Sequence, residues 1–163
     1  MSGQPSPITT ATKPGTTRRT NYVLDCAGAW ITVRARSQAT VLRVDGDVDA
    51  CNAHAFYTAI KHYAVLHVPI IADLTALDFV SVAGFRALLT LREDYAKAAV
   101  PFIVIPGTAL QVLCRVFPDH LNTEASISAA LHHLTEVKRA RRQVLLSKIP
   151  SNRTSVANLA PRT

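Results

Sequence analysis

The sequence predicts an α/β fold, a mixed and largely parallel β-sheet covered by helices. Three observations carry that expectation. Short β-branched or aliphatic runs recur at Thr40–Val44, Ile70–Asp73 and Phe102–Ile105, and the last two have the near-continuous apolar character of strands buried on both faces. Segments of helical period stand between and after them. Glycine, proline and aspartate punctuate the joints at Gly46, Pro69, Pro101 and Pro106-Gly107. Strands alternating with helices after residue 39 favour parallel pairing with helical crossovers.

Taken in chain order, residues 1–20 are rich in Ser, Thr, Pro and Gly without periodicity, and read as a disordered leader. Tyr22–Cys26 and Trp30–Arg34 alternate loosely around Ala27-Gly28-Ala29, which predicts a short hairpin. A strand over Thr40–Val44 stops at Asp45-Gly46-Asp47-Val48-Asp49. A helix follows from about Asn52 to Val65, with Ala53, Phe56, Ile60 and Tyr63 or Ala64 on one face. Ile70–Asp73 forms the next strand and runs out at Asp73. A second helix spans about Val82–Ala98, capped by Ser81, with Phe85, Leu88, Leu89, Arg92 and Ala96 along its buried stripe. The strand Phe102–Ile105 precedes a short helix over Ala109–Val116 with Thr108 as cap. Ser126 caps a last helix from Ile127 to about Val137, with the basic KRARRQVLLSK segment as a helical extension.

Bulk properties narrow the function classes. The 163 residues suit one domain with tails: a leader over 1–20, a domain over 21–137 and a basic extension over 138–163, partly helical or disordered. A hydrophobic content of 48% supports a core. No apolar run approaches the roughly 20 residues of a spanning helix, and residues 1–20 lack the apolar centre of a signal peptide. Three scattered cysteines, Cys26, Cys51 and Cys114, point to reduced thiols in a cytoplasm. The formal net charge of +7 divides unevenly: residues 1–38 carry +4, residues 39–135 carry −3 and residues 136–163 carry +6. A basic pI that resides in the ends argues against nucleic-acid binding as the main role.

The order of three short motifs is specific. Gly46-Asp47-Val48-Asp49 ends one strand, Asp73-Leu74-Thr75 ends another 24 residues beyond Asp49, and an apolar step leads through Phe79 to Gly84-Phe85 at a helix start. In this order and spacing residues 21–135, about 70% of the chain, resemble a STAS domain of the anti-sigma factor antagonist type. The resemblance implies a sheet of four to five strands flanked by about four helices. It also implies a cytoplasmic partner, a kinase-type anti-sigma factor whose capture frees a sigma factor, and no cofactor. In that family a serine in an Asp-Ser-Ser/Ala-Gly turn is phosphorylated to break the complex. Aligned on Gly84, this chain has Ser81 in place of the aspartate, Val82 in place of the phosphorylated serine and Ala83 after it. Valine has no hydroxyl, so phosphoryl transfer cannot occur there.

The resemblance thus singles out Asp47, Asp49, Ser81, Val82, Ala83, Gly84 and Phe85 as partner-binding residues. Each has a plainer reading beside it. Asp47 and Asp49 are the residue type that ends strands and caps helices. Ser81 suits a helix cap, and it is a poor substitute phosphoacceptor, as is Thr75, because a kinase holds one hydroxyl in line. Asp73 is placed to bond loop amides. The six histidines share no metal-ligand spacing with the cysteines. Cys51 and Cys114 form a redox pair only if their helices are neighbours. No nucleophile, base and orienting group converge, which argues against an enzyme. A second reading keeps the fold and makes the chain the STAS subunit of a lipid-importing ABC transporter. A nucleotide-binding role is disfavoured, since neither loop offers a basic residue or a glycine-rich nest.

Overall fold

The computed structural model describes residues 21–148. Its sheet begins with a hairpin, β1 (Asn21–Asp25) and β2 (Ala29–Ala35), joined by a tight turn in which Ala27 and Gly28 have positive φ. Alternation in β2 buries Ala29, Ile31 and Val33 and leaves Trp30 and Arg34 exposed, the signature of a strand covered on one face. β2 pairs antiparallel with β3 (Thr40–Val48), which pairs parallel with β4 (Ile70–Val80), and β4 pairs parallel with β5 (Phe102–Pro106). The five strands lie side by side in chain order. The sheet is therefore mixed, antiparallel on one half and parallel on the other.

Two strands run past their expected ends. β3 continues through Asp45-Gly46-Asp47 to Val48, and β4 continues through the second apolar pulse to Val80. The pairing tolerates this because its register shifts twice, between Arg43 and Asp45 and again between Gly46 and Asp47. Each irregularity inserts extra residues on β4 and disguises the period-2 pattern of its sequence.

The helices cover one face densely. α1 (Ala53–Lys61) buries Ala53, Phe56 and Ile60, and the remainder of the expected helix tightens into a 3-10 turn over His62–Leu66. α2 (Val82–Lys97) buries Gly84, Phe85, Leu88, Leu91 and Tyr95. Its stripe keeps the expected Phe85 and Leu88 and continues through Leu91 and Tyr95, with Leu89 partly buried against the core and Arg92 and Ala96 exposed. Tyr95 is accommodated because its hydroxyl donates to the Ile60 carbonyl at 2.7 Å and its ring stacks on Phe102. α3 (Thr108–Val116) starts at Gly107, without a side-chain cap from Thr108. α4 (Ile127–Ser147) is capped as expected, Ser126 Oγ accepting from the Ala129 amide, and runs straight through the basic segment.

Two cores result. The larger lies between the sheet and α1, α2 and α3. The smaller lies on the opposite face, where Ala130 and Leu134 of α4 cover Val41, Ile71, Ile103 and Ile105. The outer edge of β5 is shielded by residues 122–124, which exchange backbone hydrogen bonds with Val104. Among the described residues no helix is long and apolar enough to cross a membrane.

Candidate functional site: the corner after β3 and β4

The site is built where β3 and β4 end together. Asp47 pairs with Phe79 and Val48 with Val80 in the parallel ladder, and the Ser81 amide donates to the Val48 carbonyl at 2.9 Å. The Asp47–Asp49 turn and the Ser81–Gly84 turn, 32 residues apart, therefore form one continuous edge. The two corners singled out in the sequence are neighbours in space.

The first turn is held by Asn52, a residue that sequence reasoning passed over except as a helix start. Its side chain is 2% exposed. Nδ2 donates to the carbonyls of Asp47 at 2.8 Å and Ala27 at 3.1 Å, while Oδ1 accepts from the Asp49 amide at 2.9 Å. One amide side chain thus ties together the β1–β2 turn, the end of β3 and the start of α1. Asp49 reciprocates, its Oδ1 accepting from the Cys51 and Asn52 amides. The pair makes a capping box, and the Asp-x-x-Asn spacing is the signal that could have revealed it. Gly46 completes the turn with φ +94°, and a Cβ there would overlap the Gly28 carbonyl.

The second turn rests on close approach. Ser81 Oγ accepts from the Gly84 amide at 3.2 Å, satisfying one free donor at the start of α2. A Cβ on Gly84 would stand 2.8 Å from both the carbonyl oxygen and Cγ1 of Val48, so only glycine lets α2 seat directly on β3. Phe85 is buried beneath the turn, its ring 5.7 Å from that of Phe117. Gly84 and Phe85 therefore shape the corner from below, whereas Val82 stands out from it at 63% exposure and its neighbour Phe79 at 52%. Ser81 and Ala83 are half-buried and Asp47 is exposed.

Asp73 and Thr75 lie further back on β4. Asp73 is buried at 5% exposure, and its Oδ1 accepts from the Thr75 amide at 3.1 Å and the Thr75 hydroxyl at 2.6 Å. It thus bonds the strand's own irregularity. Cys51 and Cys114 are both free thiols, one exposed at the start of α1 and the other half-buried on α3. Burial beside Asp25 pushes the third thiol, Cys26, up to about 11.

The corner presents two aliphatic or aromatic side chains, Val82 and Phe79, next to the exposed carboxylate of Asp47. Such a set suits recognition by contact: apolar area for burial and a charge for orientation.

Known proteins share this architecture. The family model described as the STAS domain matches residues 31–109, a span that includes both turns of the corner. Osmosensory protein A of Mycobacterium tuberculosis is 29% identical over 140 residues, covering 82% of this chain and 89% of that protein. Among solved structures, an anti-sigma factor antagonist from Mycobacterium paratuberculosis superposes with a TM-score of 0.54 at 24% identity, over 66% of this chain and 94% of the other. The Bacillus cell fate determinant SpoIIAA in its phosphorylated form gives 0.52 at 15% identity, over 64% of this chain and 98% of the other. Residues 31–109 of this chain thus match the STAS domain model, and the two solved structures share the chain's fold.

Proposed function

We propose that the chain is an anti-sigma factor antagonist, a binding module that captures a kinase-type anti-sigma factor and so frees a sigma factor, and that phosphorylation at the α2 turn does not switch it off. The observation that carries this reading is the side chain at the tip of the corner. Val82 is exposed in the turn that follows β4, two residues beyond the ladder in which Asp47 pairs with Phe79, where a contact surface would need it. The only hydroxyl in the turn, that of Ser81, is engaged with the Gly84 amide. The solved structure from Mycobacterium paratuberculosis, itself an anti-sigma factor antagonist, supports the same assignment by its fold.

The physical logic is one of desolvation. A phosphate adds roughly −1.5 to −2 charges. The amides at the start of α2 would accommodate that charge in the free protein. Closing a partner over it would strip its water, next to the carboxylate of Asp47. A loss of a few kcal/mol weakens binding by orders of magnitude, since about 1.4 kcal/mol is tenfold. With valine at the tip the binding-competent form persists whatever the kinase does.

The test is affinity for the kinase-type anti-sigma factors encoded in the same genome, measured by titration calorimetry with and without ATP. The parent protein should bind equally under both conditions. Val82→Asp should weaken binding by roughly tenfold or more, and Val82→Ser should bind without ATP but lose affinity once phosphorylated. Val82→Asp binding as tightly as the parent would remove the corner from the interface. Capture of an ATPase subunit of a lipid importer from lysate, with no anti-sigma factor, would replace the reading with the transporter alternative.

A further inference from the structure

We propose that the end of the molecule opposite the β3–β4 corner docks onto a bilayer that carries anionic lipid headgroups. Four segments converge there. The parallel strands start in step, with Thr40, Ile70 and Phe102 aligned, and the links that feed them are bonded to one another. The Thr40 amide donates to the Pro69 carbonyl and the Ile70 amide to the Pro101 carbonyl. The turn at Arg36–Gln38, the 3-10 turn over His62–Leu66 and the end of α2 are therefore neighbours. α4 arrives at the same end, where Thr135 Oγ1 donates to Gln38 Oε1 at 2.8 Å.

Beyond that contact α4 leaves the body of the protein. Its packing stripe, Ile127, Ala130, Leu131 and Leu134, ends there, and every residue from Lys138 to Lys148 is exposed. The overhang is about 18 Å of helix, at 1.5 Å per residue. Continued at the same period, the stripe that buried aliphatic side chains on the sheet becomes Lys138, Arg141 and Leu145, with Arg142 and Lys148 beside it. A helix face that changes from apolar to basic as it leaves the core is built for an anionic surface rather than for the protein's own sheet. Arg34 and Arg36 on the adjacent hairpin and Lys97 at the end of α2 add to the same field.

Charge alone would fit any polyanion, and the exposed aliphatic groups decide between occupants. Val65 is 75% exposed and Leu66 59% on the 3-10 turn, and Val144, Leu145 and Leu146 are all more than half exposed at the tip of α4. Tyr22 is also exposed near the start of β1, beside the Arg34 row. Two separate elements thus present aliphatic side chains among lysines and arginines at one end. Nucleic acid would leave these side chains in water, whereas the headgroup boundary of a bilayer buries them and favours both tyrosine and basic residues. A second copy joined through this end would bring the two basic overhangs together, so a symmetric pair is disfavoured. The proposed partner corner stands at the other end and remains open.

Vesicle co-sedimentation of the full chain tests the proposal. Partition onto vesicles of phosphatidylcholine with one third phosphatidylglycerol should exceed that onto pure phosphatidylcholine, and should fall as salt rises. Arg141→Glu with Arg142→Glu should reduce it by roughly tenfold or more. Leu66→Ser with Leu145→Ser leaves the charge unchanged and should also reduce it, while Val82→Asp should partition as the parent does. Equal partition onto both vesicles, no partition onto either, or an unchanged serine double variant would overturn the proposal. Duplex DNA bound with a steep salt dependence while vesicles are ignored would assign the surface to nucleic acid instead.

Discussion

At the scale of single residues, Asn52 carries more structure than any side chain at the corner. It is buried, and its three hydrogen bonds reach three different segments. Asn52→Ala strands the Ala27 and Asp47 carbonyls and the Asp49 amide without their partner. Leaving buried polar groups unpaired costs about 1–3 kcal/mol each where water cannot enter. The expected loss is therefore about 2–3 kcal/mol, read as a lower urea midpoint with an unchanged slope. A loss below about 0.5 kcal/mol, the size of an ordinary surface change, would mean that water replaces the side chain and that the turn is not held by it. The sequence displayed Asp49 and Asn52 at capping-box spacing, yet nothing in it revealed that Asn52 also reaches the Ala27 turn. That contact spans 25 residues and exists only once the sheet has formed.

At the scale of elements, α2 is legible in the sequence in its cap, its limits and the first half of its buried stripe, but not in the second half. Ser81 and the glycine three residues on mark the start unambiguously. The expected stripe shares Phe85 and Leu88 with the observed one, but continues to Arg92 and Ala96 where the helix buries Leu91 and Tyr95. A tyrosine counts weakly as a core residue until a buried carbonyl, here that of Ile60, is available for its hydroxyl. The extended ends of β3 and β4 were missed for a related reason. Two register shifts break the alternation from which strands are read, and aspartates at 45, 47 and 78 look like turn residues. Gly84 decides how α2 meets those strand ends. Gly84→Ala improves intrinsic helix propensity by about 1 kcal/mol. It also places a methyl 2.8 Å from the Val48 carbonyl, and that backbone cannot move without disturbing the ladder with Val80. Overpacking costs about 1–3 kcal/mol, so a net destabilisation is expected, together with weaker partner binding as the corner opens. A variant as stable as the parent in urea would show that α2 is not seated on β3 as described.

At the scale of the whole molecule, the two helices that brace the sheet are joined by one ionic cluster whose state depends on pH. Tyr57 of α1 donates its hydroxyl to Asp94 of α2 at 2.6 Å, and Lys61 reaches both groups, at 2.6 Å from the Tyr57 hydroxyl and 3.1 Å from the Asp94 carboxylate. The Tyr57 hydrogen bond, then that from Lys61, holds the Asp94 carboxyl below the usual carboxylate range. A carboxyl depressed on folding binds its proton more readily in the unfolded chain. Its stabilising contribution is therefore full above the unfolded value, roughly 4, and is lost as pH falls through the lower folded value. Lys61 is shifted upward by the same partners, so its contribution disappears only in strong alkali. Thermal melts between about pH 7 and 2 should accordingly show the parent falling more steeply below about pH 4 than Asp94→Asn does. The variant begins lower at neutral pH, since Lys61 loses its counter-ion, and the two curves converge in acid. Parallel curves across the whole range would show that the cluster forms no differently in the folded and unfolded chains. The bracing of α1 against α2 would then rest on apolar burial alone, on Phe56, Ile60, Leu88 and Leu91.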